Sequence, residues 1–440
     1  MTITDDYLAE VTDAGPRASE IRSSMLEDMA GTWYQTGYLS RPIFLGRAAF
    51  RQLAGDLDVL VSAILEIPQR FFGGDTAACA RAVGLVEDQV RAVVRNRGTV
   101  PSRLARADLY QDANGFQLIE MNMGSNLGGL DNAVLNEAML KTPFIADFAV
   151  RRELTYVDTM VELARSILIE CDVPPGVRPF MAAVDYPPRY PSLESMLERS
   201  AAAFAPLGID CRPCPVDRLD YHDDAVWLDG RRVDIVYRLF HLEDVRHSGV
   251  PELIEPLLQA TERGQVRMFT SLDSDMYGSK GALALLSDEA YRDRFSADER
   301  ASLDRIVPWT RSVRPGTVTV DGVEHDLVAY AEANRTELVL KPTAEHGGQG
   351  VVLGWMVDAA TWRDHVHDAL TAPYVVQRRI HPTLELFPTD DGVEPWLMTW
   401  GAFTLAQGFG GFWMRGSRDL DGGVVNMQTG ATAMCCFHQM

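Results

Sequence analysis

The segment Leu338-Val339-Leu340-Lys341-Pro342-Thr343-Ala344-Glu345-His346-Gly347-Gly348-Gln349-Gly350-Val351-Val352-Leu353 is the most informative stretch of the chain. Two apolar strands flank a glycine-rich loop. Glycine lets successive backbone N–H groups turn towards one anion with no side chain in the way. Lys341, at the edge of that nest, adds a full positive charge, so the segment has the makings of a phosphate cradle. An ordinary hairpin with a glycine bulge is the competing reading. In a Walker-type loop the lysine follows the glycines and opens a helix. Here it precedes them on a strand, which predicts a β-hairpin folded over a triphosphate.

A second group of residues suits a hard cation. Glu120 and Asn122 stand two apart on a predicted strand and therefore share a face. A carboxylate beside an amide oxygen suits Mg²⁺, which also accepts water and phosphate oxygens. Arg106 and Asp108 share a face on the preceding strand by the same rule. Pairing the two strands gathers all four into one patch, with a polar, solvated sheet face as the alternative. The apolar neighbours Leu118 and Ile119 favour a site.

These residues need elements to hold them. Residues 1–100 read mostly as helix: Leu57, Val59, Leu60, Val61, Ile64 and Leu65 have helical spacing, and Ala77–Val94 is similar, with Gly84 as a blemish. Pro101 predicts a break near 98–101. The turn Asp112-Ala113-Asn114-Gly115 joins the strands bearing Arg106 and Glu120 as a hairpin. Helix is expected over 131–140. Residues 150–245 alternate helix (153–169, 193–204) with strand (180–184, near 208–211, 233–240), which predicts a doubly wound α/β unit. Beyond 280 come a helix, the Lys341 hairpin, a helix over 359–370, strands near 374–380 and 396–405, and a glycine-rich stretch at 408–416.

Composition narrows the function classes. Over 440 residues, 41 basic against 62 acidic side chains give a net charge of -21. Such a chain repels phosphate backbones, so general nucleic-acid binding is not expected, although a local basic patch can still hold a small anion. A hydrophobic fraction of 46% supports a large apolar core and excludes disorder as the main state. The absence of a signal-like N-terminus or long apolar run leads us to expect a cytoplasmic protein of several domains with no membrane partner. Six cysteines in such a chain form no disulfide framework. Cys211 and Cys214 have redox-motif spacing, but Pro213 and Pro215 favour a strand or loop over the helix start that redox chemistry requires. Cys435, Cys436 and His438 read as a mobile tail, and His365 and His367 as residues of a solvated helix.

In chain order these segments resemble the circularly permuted ATP-grasp ligases, most closely eukaryotic-type glutathione synthetase and glutathionylspermidine synthetase. Arg106-Ala107-Asp108-Leu109-Tyr110 is similar to the family's R-S-D-Y strand. Glu120-Met121-Asn122, followed by Ser125 and Gly128-Gly129-Leu130, resembles its E-x-N, serine and G-G-L. Lys280 before a helix resembles the first ATP lysine, and Lys341-Pro342 with Glu345 resembles K-P-x-x-E-G-G. Tyr374-Val375-Val376-Gln377 resembles the hinge strand against adenine, and Gly411-Phe412-Trp413-Met414-Arg415 the late substrate arginine. His346 and Arg378 depart from the pattern, and the substrate-specific loops are not recognisable.

The resemblance implies an α/β (α+β) ATP-grasp fold, circularly permuted. A helical region and metal-binding strands would occupy 1–150, an α/β substrate domain 151–270 and the nucleotide-binding part 271–440. It implies an ADP-forming ligase that joins a carboxylate to an amine through an acyl phosphate. ATP would be held by Lys280, Lys341, Gly347, Gly348, Gln349, Gly350, Gln377 and Ile380, and Mg²⁺ by Glu120, Asn122, Glu345 and Asp108. Arg106 and Arg415 would be catalytic, and Ser125, Asn126 and Arg238 substrate-binding. For Arg238 a structural ion pair at a strand end is the equal alternative. The partners would be a small carboxylate, such as an amino acid or short peptide, and an amine, with a homodimer left open. A phosphotransferase and a regulatory protein with an inactive core are the competing functions.

Overall fold

The computed structural model describes residues 2–29, 37–96, 101–124, 127–345, 347–420, 425, 427 and 430–440. The helical N-terminal region comprises Ile3–Ala14, Ala18–Asp28, Arg47–Leu65, Ile67–Phe72, Thr76–Ala82 and Glu87–Arg95. Arg47–Leu65 is helical because Leu53, Leu57, Leu60, Val61 and Ile64 fall on one stripe, and that stripe is buried. The single helix expected over 77–94 is two. Gly84 adopts a left-handed φ of +94°, which breaks the helix, and a Cβ there would press against Thr343. The break expected near 98–101 falls mostly outside the described residues.

The site is built on an antiparallel sheet assembled from distant parts of the chain. Its order is Thr432–Met434, Gly408–Ser417, Gly392–Leu405, Ala105–Asp112 and Gly115–Met123, with Glu385–Thr389 also beside Gly392–Leu405. The register pairs Arg106 with Asn122 and Asp108 with Glu120, as expected from the hairpin. It also pairs Gly401 with Asp108 and with Trp413, and Thr399 with Arg415. Directly paired residues share a face, so the polar side chains of three separate sequence segments emerge on one side. The glycine-rich stretch 408–416 is a full strand. Its glycines allow close passage: a Cβ at Gly411 would strike Thr159 in the helix Thr159–Glu170.

Residues 151–270 include a four-stranded parallel sheet ordered Arg267–Phe269, Ile235–Arg238, Phe180–Asp185 and Asp210–Pro215. Helix begins at Thr159 rather than 153, capped by the Asp158 side chain. The hairpin bearing Lys341 belongs to another antiparallel sheet: Thr310–Ser312, Tyr374–Arg378, Leu338–Pro342 and Val352–Leu353. Trp362, from the helix Ala359–Ala369, is buried behind it and donates its indole N–H to the Ala331 carbonyl at 2.9 Å.

The expected mobile tail is instead structural. Cys436–His438 pairs in parallel with Ile43–Leu45, and Cys435, Cys436 and His438 are buried. Among the described residues no helix is long and apolar enough to cross a membrane.

Candidate functional site

The two antiparallel sheets enclose a cleft of about 400 Å³. Its lining includes six basic side chains (Arg106, Lys280, Lys341, Arg378, Arg379 and Arg415) and two carboxylates (Asp108 and Glu120). The excess positive charge lies within a chain of net charge -21, so the cleft is set apart electrostatically from the molecule as a whole.

Arg106 lies across the empty position at Gly401, where a Cβ would come within 3.0 Å of its Cδ. It grips Asp108 through two hydrogen bonds, Nε to Oδ1 at 2.8 Å and Nη2 to Oδ2 at 3.0 Å, and donates Nη1 to the Gly128 carbonyl at 2.8 Å. Arg415 Nη2 pairs with the same Oδ2 at 2.8 Å, and its Nε is buried with no hydrogen-bond partner among the described residues. Burial alone would raise the Asp108 carboxyl; the two guanidiniums overcome it and hold the group down to about 2. Asn122 donates its amide to Asp108 Oδ2 at 3.2 Å and to Glu120 Oε1 at 3.3 Å.

The lysines occupy the other end. Ser279 caps the helix Lys280–Ser287, and Lys280 Nζ donates to the Glu345 carbonyl at 2.8 Å and lies 3.3 Å from Glu120 Oε2. Lys341 Nζ donates to the Ile119 carbonyl at 2.8 Å and to Gln377 Oε1 at 2.6 Å. Burial pushes its ammonium down to about 7, with Glu120 opposing the shift and Lys280 reinforcing it. Gly347 and Gly348 line the cleft with φ of +66° and +82°, the left-handed conformations that glycine tolerates. The apolar wall includes Val339, Val351, Leu353, Trp355 and Ile380.

The structure gathers Arg106, Asp108, Glu120, Asn122, Lys280, Lys341, Gly347, Gly348, Gln377, Ile380 and Arg415 around this cleft. Several of the expected site residues already have protein partners. Asp108 is surrounded by the two arginines and the Asn122 amide. Gln377 accepts from Lys341 through its amide oxygen and donates Nε2 to Thr310 Oγ1 at 3.1 Å. Gln349 and Gly350 follow the lining glycines, and Gly350 packs towards Pro342 and Tyr374. Glu345 contributes its carbonyl to Lys280.

Arg238 takes the structural alternative. It donates Nη2 to Asp275 at 2.6 Å and Nε to the Thr270 carbonyl at 2.5 Å, with further bonds to the Phe240 and Ser271 carbonyls and the Ser274 hydroxyl. Ser125, Asn126 and His346 lie outside the described residues. Cys211 and Cys214 are free thiols on the strand Asp210–Pro215, and burial pushes both up to about 12, which disfavours the thiolate that redox chemistry needs.

The cleft fits a polyanion with an apolar end. Basic groups outnumber carboxylates, a buried donor on Arg415 has no acceptor among the described residues, and the wall beside the lysines is hydrocarbon. For a hard cation it offers Glu120 and the Asn122 amide oxygen. Among the described residues no three His, Cys, Asp or Glu side chains converge as a metal site. Sequence reading missed Trp413 and Gly401. Trp413 stands two residues before Arg415 and could have been placed on its face by strand periodicity. Gly401 acquires meaning only from the register.

No protein-family model matches the sequence, and no curated protein matches it. A solved glutathione synthetase-like effector from Globodera pallida is 12% identical, with a TM-score of 0.58 covering 95% of this chain and 95% of its own. A Methylobacillus flagellatus structure provisionally assigned as a gamma-glutamylcysteine synthetase is 11% identical, with a TM-score of 0.46 covering 88% of each chain. At this identity the likeness to the first is one of fold, and it extends over nearly the whole chain. The mixed α/β fold implied by the sequence motifs is the fold present.

Proposed function

We propose that the chain is an ATP-dependent, ADP-forming ligase that joins a small carboxylate to an amine on a circularly permuted ATP-grasp fold. Residues 1–150 would supply the metal-binding strands, 151–270 the substrate unit and 271–440 the nucleotide-binding part. The observation that carries this reading is the clustering of buried cations around Glu120 and Asp108. A triphosphate meeting a carboxylate concentrates negative charge, and fixed cations in a desolvated cleft stabilise it without reorganisation.

In this reading Lys280 and Lys341 neutralise phosphate charge, and the amides around Gly347 and Gly348 orient the terminal phosphate. The apolar wall with Ile380 takes the base. Glu120 and Asn122, with Glu345 as a further candidate, would hold Mg²⁺, which supplies charge neutralisation between phosphate oxygens. Arg106, held rigid by Asp108, stabilises the charge that develops on the acid as its carboxylate is activated and then attacked by the amine. Arg415, with Ser125 and Asn126, meets substrate polar groups. The acid is an amino acid or short peptide, the setting cytoplasmic, and no nucleic acid or membrane takes part.

The test is Mg²⁺-dependent ADP release across pooled amino acids, peptides and other carboxylates, with hydroxylamine as surrogate amine and Lys341→Ala as the blank. ADP release with hydroxamate formation establishes carboxylate activation. ADP release with a stable phosphorylated product and no amine consumed assigns a phosphotransferase instead. Nucleotide binding without ADP release from any pool supports a regulatory role.

A further inference from the structure

Trp413 is 6% exposed, and its indole Nε1–H has no hydrogen-bond partner among the described residues. Buried indole N–H groups ordinarily find an acceptor, and leaving one unmade costs about 1–3 kcal/mol. The ring is tightly held. The Arg106 guanidinium carbon lies 4.9 Å from its centroid and that of Arg415 4.7 Å, while a Cβ at Gly129 would run into the indole. The residue lines the cleft, and its neighbour Arg415, whose Nη2 pairs with Asp108 at 2.8 Å, carries one further buried donor, Nε, with no partner among the described residues.

This end of the cleft therefore presents unmatched donors, whereas an amine or ammonium needs acceptors. The strand bearing Trp413 is three strand spacings from the one bearing Glu120, roughly 14 Å between backbones at about 4.8 Å per strand, and the Arg106 guanidinium lies between them over the indole.

We infer that Trp413 is a specificity-determining residue, whose N–H joins Arg415 Nε in seating a substrate carboxylate beside the Arg106 and Arg415 guanidiniums. The inference rests on the ligase reading and deepens it, since a carboxylate is selected here by a fixed N–H as well as by charge. That carboxylate can belong to the acid or, where the amine is an amino acid, to the amine.

The experiment compares wild type with Trp413→Phe, which keeps an aromatic face for both guanidiniums and removes the donor. ADP release is measured with the acid found by the screen, first with hydroxylamine, which has no carboxylate, and then with amino-acid amines. The expected result is a rise in KM of roughly tenfold to hundredfold for the carboxylate-bearing partner, the range for a lost hydrogen bond to a charged group. KM for ATP and the melting temperature should stay as in wild type. A penalty present with hydroxylamine assigns the seat to the acid, and one confined to amino-acid amines assigns it to the amine. Unchanged KM for both, or a loss confined to ATP, overturns the inference.

A second arm needs no turnover. Protein labelled with ¹⁵N-indole tryptophan is titrated with acetate, succinate and L-glutamate, and separately with a non-hydrolysable Mg²⁺-ATP analogue. The Trp413 N–H signal, identified by its loss in the variant, should move with at least one carboxylate and not with the nucleotide alone. A signal that moves only with nucleotide, or with no probe, counts against the seat. Absence of ADP release from every pool overturns the ligase reading, which this titration does not presuppose, so the two failures are distinguishable.

Discussion

Arg238 in the parallel sheet and Arg415 in the antiparallel one are both buried, at 0% and 5% exposure, but their surroundings differ. Arg238 is ringed by carbonyls, a hydroxyl and the Asp275 carboxylate. Arg415 shares Asp108 with Arg106 and keeps one donor, Nε, with no hydrogen-bond partner among the described residues. A buried guanidinium cannot shed its proton, so its environment must supply acceptors or leave a demand for them. Where the protein completes the set, the arginine is architecture. Where the set is incomplete and the side chain lines a cleft, the shortfall describes a ligand.

The largest effect expected from this contrast is on stability. Arg238→Met should leave Asp275 and several carbonyls uncompensated and cost about 3–5 kcal/mol, the range for breaking a buried pair. Denaturant or thermal melts measure it. A variant that melts like wild type but loses activity would move Arg238 into the site and break the comparison. Arg415→Met should do the reverse. Its melting temperature should change little, because Arg106 still holds Asp108, while ADP release falls roughly 10²–10³-fold, as for removal of a preorganised donor.

Two titrating groups sharpen the contrast. His438 is buried, with neither ring nitrogen hydrogen-bonded among the described residues, and stacks on Phe50 at 4.1 Å. It lies outside the cleft lining. Imidazole can lose its proton, and burial lowers its value from 6.5 to about 4. The neutral ring is therefore tolerated. Between these values the unfolded chain binds the extra proton, so stability is retained above 6.5 and lost as pH falls towards 4, by at most about 1.4 kcal/mol per pH unit. His438→Phe should flatten that part of the acid-denaturation curve.

Lys341 shows the ligand-linked counterpart. Its free value of about 7 should rise when a phosphate arrives. Nucleotide affinity should therefore fall above pH 7, by at most about tenfold per unit, with proton uptake seen by calorimetry in buffers of different ionisation enthalpy. Affinity independent of pH between 7 and 9 would detach Lys341 from the phosphates. The smallest effect belongs to the thiols: Cys211→Ser with Cys214→Ser should leave ADP release unchanged under oxidising and reducing conditions alike.

Much of the site was legible because its signals are local. Strand periodicity put Arg106 beside Asp108 and Glu120 beside Asn122, and the turn before Gly115 paired them. Lys341 and its glycines are contiguous. The fate of Arg238 was not legible, because its acceptors include Thr270, Ser271 and Asp275, which the parallel sheet brings back to it. Nor was the role of Gly401, since an absent side chain acquires meaning only when Arg106 and Trp413 are its neighbours. The terminal residues misled because cysteine, histidine and a chain end look like a loose tail, while their partners at Ile43–Leu45 leave no local trace.

The pairing of Ala105–Asp112 with Gly392–Leu405 also sets the order of assembly during synthesis. The hairpin bearing Arg106 and Glu120 leaves the ribosome long before its neighbouring strand exists, by roughly 15–60 s at about 5–20 residues per second. Over that interval one edge of the hairpin is open and Leu109, Leu118 and Met121, buried in the finished fold, lack their final cover. Such non-local sheets form slowly and are prone to association before closure. The arrangement that gathers the cleft from distant segments therefore leaves the nascent hairpin with an unpaired edge until its final strands arrive.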